Sequence, residues 1–314
     1  NFLPSTGRLV GYREPEGEGV RVDSGVYEGG EVSMFYDPMI AKLVTYGSDR
    51  DQAIERMVGA LDRYYIRGVS HNISFLNALM VHPRFVAGRL TTNFIAEEYP
   101  DGFSADLVAC EDPATVIAVA AAANQLRVER GSLLSEQMSG HEYPARQDWI
   151  VVIGDRHTSV RAELLDDGYR IVVDGSDYLI DTDWELGEPL FVAQINHRSV
   201  AVQIDGCVNH YRLRSRGAEI DARVLSPRAA QLSAHMLYKE PADMSKYLLS
   251  PMPGLLVSLS VAAGDEVKEG QELAVVEAMK MENSLRALQD GLVASVNAVV
   301  GASLAVDEII IEFA

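Results

Sequence analysis

Basic residues are scarce in this chain. Lys and Arg number 27 against 46 Asp and Glu, a formal net charge of −19. That balance argues against nucleic acid or an anionic membrane surface as a partner, because attraction to phosphate needs basic patches. Cysteine is nearly absent: Cys110 and Cys207 stand alone. Two cysteines make no disulfide framework, and a reducing compartment is expected. No run of 18 apolar residues occurs, so no transmembrane helix is expected. No signal or transit segment is recognisable, and the opening Asn1-Phe2-Leu3-Pro4 has no initiating Met, which points to a truncated or processed polypeptide. The seven histidines show no metal spacing such as H-E-x-x-H. His157, His197 and His210 fall at strand or turn positions and read as packing or surface residues. The nucleotide-binding pattern G-x-x-x-x-G-K-[ST] is missing, and no Ser/His/Asp or Cys/His arrangement can be inferred.

What the chain does have is ample apolar material, 47% of its 314 residues, enough for roughly two or three domains. Residues 1–103 mix strands and helices. Gly19–Gly25 reads as a strand and turn, and Tyr36–Val44 ends in another strand-like run. Asp49 to Tyr65 reads as a helix capped by Asp49, with Ala53, Ile54, Met57, Ala60 and Leu61 at helical spacing and Gly68 as its stop. Ile73–Val81 reads as a second helix ending before Pro83. Asp112-Pro113 opens a third, with Ala114–Ala123 apolar on almost every side, so it must be buried all round. Gly131 ends it, and residues 132–147 read as polar and irregular. Eight β-like runs follow between Trp149 and Leu225. Asp167-Gly168, Asp174-Gly175 and Asp205-Gly206 supply hairpin signals. Short connections make the strands antiparallel neighbours in a closed barrel or sandwich, with the apolar helix as a candidate filling. Pro227–Met236 reads as a short helix before a linker.

The C-terminal part repeats itself at an offset of 37 residues. Gly254-Leu255-Leu256-Val257, Gly264, Val267, Gly270 and Leu273 correspond to Gly291-Leu292-Val293-Ala294, Gly301, Leu304, Asp307 and Ile310. Glycine recurs where turns need positive φ, between short runs of Val, Leu and Ile. Two hairpin-rich halves imply a small flattened barrel with quasi-twofold symmetry. Lys280 falls where one half hands over to the other, inside Glu277-Ala278-Met279-Lys280-Met281-Glu282-Asn283. Most lysines are plain surface residues. Two methionines around an exposed turn are poor for solubility and set this one apart.

That heptapeptide resembles the attachment site of biotin carboxyl carrier domains. The lipoyl domains share the fold, but their modified lysine has acidic or small neighbours, so Met-Lys-Met favours biotin. A second resemblance covers residues 1–100. Leu3-Pro4-Ser5-Thr6-Gly7, Gly19–Ser24, Tyr36–Lys42 and Gly68–Asn72 look like the C-terminal part of a biotin carboxylase domain. Arg21 falls at that family's catalytic arginine, which stabilises the enolate of biotin's ureido group. A helix-filled barrel is similar to the domain linking biotin carboxylase to carboxyltransferase in the propionyl-CoA carboxylase family, where the position of residues 132–147 belongs to a loop that contacts the partner.

These resemblances imply a multidomain α+β chain. Residues 1–103 would be the C-terminal lobe of a biotin carboxylase, and 104–240 an antiparallel eight-stranded β-barrel around a central helix. A linker would follow over 241–249, then a flattened β-barrel biotinyl domain over 250–314. The implied function is that of the biotin-carrying α subunit of an acyl-CoA carboxylase, with biotin covalent on Lys280 between Met279 and Met281 and Arg21 catalytic. Its carboxyl group would pass to propionyl-CoA, giving methylmalonyl-CoA, on a carboxyltransferase β subunit. 3-Methylcrotonyl-CoA and acetyl-CoA are the alternative substrates, and a non-catalytic carrier and docking module is the alternative role. ATP, magnesium and bicarbonate belong to an upstream ATP-grasp half that these residues do not include, so the fragment alone is expected to be inactive. Biotin protein ligase is the other implied partner. The expected location is bacterial cytoplasm, or mitochondrial matrix in a eukaryote.

Overall fold

The computed structural model describes residues 5–33, 37, 39–100, 102–105, 108–140, 146–165, 167–207, 209–233, 235–236, 244, 246–278 and 281–313. The first lobe interleaves short ribbons with helices: β1 (Gly7–Arg8), β2 (Gly11–Arg13), β3 (Val20–Ser24), β4 (Glu31–Val32), β5 (Ala41–Thr45), α1 (Arg50–Arg63), β6 (Tyr65–Arg67), α2 (Ile73–Val81), α3 (Pro83–Val86) and α4 (Phe94–Glu98). Its ribbons pair as β1 with β4, β2 with β6 and β3 with β5. Asp49 caps α1 as the sequence implies, its carboxylate accepting from the Gln52 N–H at 2.8 Å. The helix ends at Arg63, two residues short of the expected Tyr65. Tyr64 turns extended, and β6 pairs with β2 in register from Gly11–Arg67 to Arg13–Tyr65. Aromatic and β-branched residues there gain more from ribbon and core than from another helical turn. Gly68 serves a different purpose. Its φ is +104°, and a Cβ would lie 2.1 Å from the Arg8 carbonyl oxygen.

The second unit is the expected filled barrel. Helix α5 (Pro113–Ser132) is capped by Asp112, which accepts from the Thr115 N–H at 3.1 Å. It is followed by β7 (Asp148–Ile153), β8 (Arg156–Leu165), β9 (Gly168–Val173), β10 (Ser176–Asp181), β11 (Leu190–Ile195), β12 (Arg198–Gly206), β13 (Tyr211–Ser215) and β14 (Ala218–Leu225), then α6 (Pro227–Ser233). The eight strands close as an antiparallel barrel, β14 pairing with β7. An eight-stranded barrel has an interior that side chains alone nearly fill. A helix fits inside because both surfaces are small: Ala118 and Ala120–Ala123 on α5 share one core with Ala162, Ala193 and Ala222 on the wall. Asp174 and Gly175 take φ of +48° and +83°, the paired positive values of a tight hairpin turn. Asn196-His197 and Arg216-Gly217 do the same without an obvious Asp-Gly signal. Asp205 is a correction. It lies in β12 opposite Arg212, and the chain reverses beyond Gly206.

The third unit is β15 (Tyr247–Leu249), β16 (Gly254–Leu259), β17 (Glu266–Val267), β18 (Glu272–Ala278), β19 (Met281–Arg286), β20 (Gly291–Val296), β21 (Ser303–Leu304) and β22 (Ile309–Phe313). They form two four-stranded sheets, β15-β22-β20-β17 and β19-β18-β16-β21. Each strand of one sheet has its repeat partner in the other. Even the irregularities repeat: the register slips between Leu256 and Ser258 on β16 and between Val293 and Ser295 on β20. Gly270 at φ +79° is matched by Asp307 at +61°. Tyr247–Leu249, read from sequence as the end of the linker, are the strand that completes the first sheet against β22. Residues 241–243 and 245 of that linker lie outside the described residues.

Candidate functional site

Strands β18 and β19 pair antiparallel up to Ala278 opposite Met281. Met279 and Lys280, the two residues between those partners, lie outside the described residues. The base of this hairpin is firm, because Val276 and Ala278 are buried in the carrier core. Gly254 lets β16 close on β18: a Cβ there would stand 2.6 Å from the Glu277 carbonyl oxygen. The Ser250–Gly254 opening packs beneath. Buried Ser250 donates its hydroxyl to the Met252 carbonyl at 2.7 Å, and the Asn283 amide reaches the Met252 sulfur at 3.6 Å. Above this base Met281 is about half exposed. Glu277 and Glu282 stand directly opposite each other, a like-charge pairing that costs stability and leaves this end acidic. Phe313 donates its N–H to the Lys246 carbonyl at 2.8 Å. Under the 37-residue repeat, the chain's entry and exit therefore occupy the place that the hairpin occupies in the other half, at the opposite end of the unit.

Arg21 sits on the outer face of the β3–β5 ribbon with Asp23, Lys42 and Val44, all exposed. Its guanidinium pairs with Asp23 on the same face, Nε to Oδ1 at 3.2 Å and Nη2 to Oδ2 at 3.3 Å. The fork leaves the rest of an exposed cation free for a ligand. This ribbon and the β18–β19 hairpin rest on separate hydrophobic cores, so the structure does not bring Arg21 and the Met281 strand together. At the start of the carrier unit the Tyr247 N–H donates to the Met244 carbonyl at 3.0 Å. After α5, Leu133, Leu134 and Met138 are strongly exposed, although that segment reads as polar. Residues 141–145 lie outside the described ones.

Nothing in the local sequence pattern hints at the seam between the first lobe and the barrel. Asp62 Oδ1 accepts from the Arg216 N–H at 2.6 Å and from Asn77 Nδ2 at 2.7 Å. Gln203 donates to the carbonyls of Asp62 and Tyr64 at 3.2 and 3.0 Å, capping the end of α1. Arg67 holds Asp205 at 2.8 Å, and Arg214 holds it from the barrel side. Gly217 is pressed into α2, where a Cβ would stand 2.8 Å from both Ala78 N and Ser74 O. Such a seam is invisible locally because its charges come from residues more than 130 positions apart.

Two groups at the seam are shifted in opposite directions. Burial raises the Asp62 carboxyl to about 6, opposed by the Arg216 N–H and charge, the Asn77 amide and Arg63. Burial, with Arg67 and Arg214 adding repulsion, lowers His71 to about 4. Between pH 4 and 6 the folded Asp62 holds more proton than its unfolded form, so its share of stability falls as pH rises. His71 holds less proton when folded between pH 4 and 6.5, so its share rises with pH. Each is worth about 3 kcal/mol at most. In thermal melts compared with the wild type, Asp62→Asn is expected to lose stability on acidification from pH 6.5 to 4, and His71→Gln to gain it.

Three sequence families match in succession. They are the biotin carboxylase C-terminal domain over residues 1–97, the propionyl-coenzyme A carboxylase BT domain over 116–239, and the biotin-requiring enzyme domain over 246–313. The chain belongs to the biotin-dependent carboxylase family. It is 43% identical to the propionyl-CoA carboxylase alpha chain of Ruegeria pomeroyi, over 99% of this chain and 49% of that protein. The mitochondrial propionyl-CoA carboxylase alpha chain of Homo sapiens is 38% identical over 99% of this chain and 43% of its own length. The mitochondrial methylcrotonoyl-CoA carboxylase subunit alpha of Dictyostelium discoideum is 29% identical over 94% of this chain and 44% of its own. The chain thus spans about half the length of these biotin-dependent carboxylase relatives. Covalent biotin is the cofactor of its third domain.

Proposed function

We propose that this chain is the lobe, barrel and carrier of the biotin-bearing α subunit of an acyl-CoA carboxylase, with propionyl-CoA as the acceptor and Lys280 as the point of attachment. The observation that carries the reading is the β18–β19 hairpin: paired strands on a buried base, closing at Ala278–Met281 around Met279-Lys280. The residues present suit biotin. A lysine amine can form an amide with its carboxyl group, and half-exposed Met281 offers an apolar contact for its ring. When bound, biotin supplies a nitrogen that takes up a carboxyl group at one site and releases it at another. The chain's own residues carry and position it. Tethering from the opposite end of the carrier leaves the hairpin foremost and raises its local concentration at each site. The six linker residues left before β15 reach only about 20 Å when fully extended, so the whole unit swings. Arg21, paired with Asp23 and never losing its charge, would hold negative charge on an oxygen of the bound group.

Propionyl-CoA is preferred over 3-methylcrotonyl-CoA or acetyl-CoA because the more similar relatives bear the propionyl name. The exposed Leu133, Leu134 and Met138 are the proposed contact for a carboxyltransferase β subunit. ATP, magnesium and bicarbonate are assigned to sequence outside these residues, so the chain alone is inactive in carboxylation. Bacterial cytoplasm and mitochondrial matrix both suit the relatives. Incubation with biotin protein ligase, biotin and ATP is expected to place one biotin on Lys280 in peptide maps. An unmodified lysine would overturn the carrier assignment.

A further inference from the structure

The ribbon that presents Arg21 has only two strands, β3 and β5. Two strands alone are marginal in water, so the precision of Arg21 must come from what holds the ribbon down. Its inner face supplies part of that hold, with Val22, Ala41 and Leu43 packed on the core of Leu61, Tyr64 and Ile66. The rest is polar. Ser24 closes β3 three residues beyond Arg21, and its hydroxyl lies 2.7 Å from the Tyr12 hydroxyl. That hydroxyl also meets the Tyr64 hydroxyl at 2.6 Å and Glu14 at 3.0 Å. The Tyr12 and Tyr64 rings meet edge to face at 5.8 Å. Tyr64 follows directly on the end of α1, and its carbonyl accepts the Gln203 amide from barrel strand β12. Burial raises both phenols above their ordinary range, so both remain neutral donors at physiological pH.

We propose that Tyr12 and Tyr64 are positioning residues: through their joined hydroxyls they fasten the end of β3 to the seat of the barrel and so hold Arg21 in place. The chain of contacts runs from Gln203 through the Tyr64 main chain and ring to Tyr12 and Ser24. Interior hydroxyl networks of this kind fix geometry more than they add stability, because a lost hydroxyl pair costs little when the rings stay packed. Phenylalanine therefore tests the hydroxyls and spares the packing. The proposal rests on the catalytic reading of Arg21, and the test separates the two.

Two measurements are needed on Tyr12→Phe. In this chain, amide hydrogen exchange at Arg21–Ser24 is expected to quicken about tenfold while the melting temperature stays near that of the wild type. In the complete enzyme, kcat for ATP-dependent carboxylation of free biotin is expected to fall about tenfold with KM for ATP unchanged. A structural defect would move the melting temperature and KM as well. Arg21→Ala run alongside decides the underlying reading: if it stays active, the catalytic assignment fails, and the exchange data still report on the fastening. If Arg21→Ala is inactive, an unchanged exchange rate or an unchanged kcat in Tyr12→Phe overturns the proposal.

Discussion

Lys280→Arg is expected to abolish carboxyl transfer in the assembled enzyme while leaving the carrier folded. Attachment of biotin requires a neutral amine that can attack an activated carboxyl group. Lysine reaches that state inside a ligase site, whereas a guanidinium keeps its proton and spreads its electron pair over three nitrogens. The substitution keeps charge and approximate length, so binding to the ligase is disturbed little and the chemistry is lost completely. Folding should be spared, because the core of Leu256, Leu273, Val276, Ile310 and Ile311 lies below the hairpin, and surface replacements away from special features stay within about 0.5 kcal/mol. An avidin blot should be blank, a coupled assay with the β subunit should read background, and the melting curve should overlay the wild type. Carboxyl transfer by the variant would remove Lys280 from the mechanism.

The largest expected effect on stability is Ala120→Asp. Ala120 is fully buried at the middle of α5, inside the barrel. An aspartate there leaves water without a partner and meets wall residues that cannot move, and an uncompensated buried charge costs about 4 kcal/mol or more. Since whole domains are stable by only about 5–15 kcal/mol, the barrel should open at far lower denaturant. The chain's two tryptophans make this visible: Trp149 and Trp184 both belong to the barrel core. Their emission should shift red early in Ala120→Asp and stay at the wild-type midpoint in Arg130→Asp, which lies on the exposed last turn of the same helix. Biotin acceptance by Lys280 should survive in both, because the carrier has its own core.

The depth of the barrel core explains why its fold could be read so far from sequence. An apolar helix with no polar face has to be enclosed, and eight alternating runs with short turns supply an enclosure. The carrier was legible for a related reason. A 37-residue repeat writes each strand twice, so strand, turn and bulge positions confirm one another. Misreadings fall where distant residues outweighed local preference. Helix α1 ends at Arg63 because Tyr65–Arg67 pair with Gly11–Arg13. Asp205 stays in a strand because Arg67 and Arg214 hold it there. Tyr247–Leu249 leave the linker because β22 offers them an edge.

The sequence by itself determined the filled barrel and the symmetry of the carrier and nominated Lys280, while Arg21 came from the resemblance to biotin carboxylase. Periodicity, turn chemistry and short motifs are local properties, and local spacing encodes them. Only the tertiary structure decided that the first lobe and the barrel share a polar seam. It also decided that Tyr64 and Tyr12 tie that seam to the ribbon of Arg21, and that the carrier's tether lies opposite its hairpin. Those features depend on side chains from remote parts of the chain meeting at hydrogen-bonding distance, which no pattern along a single strand or helix can express.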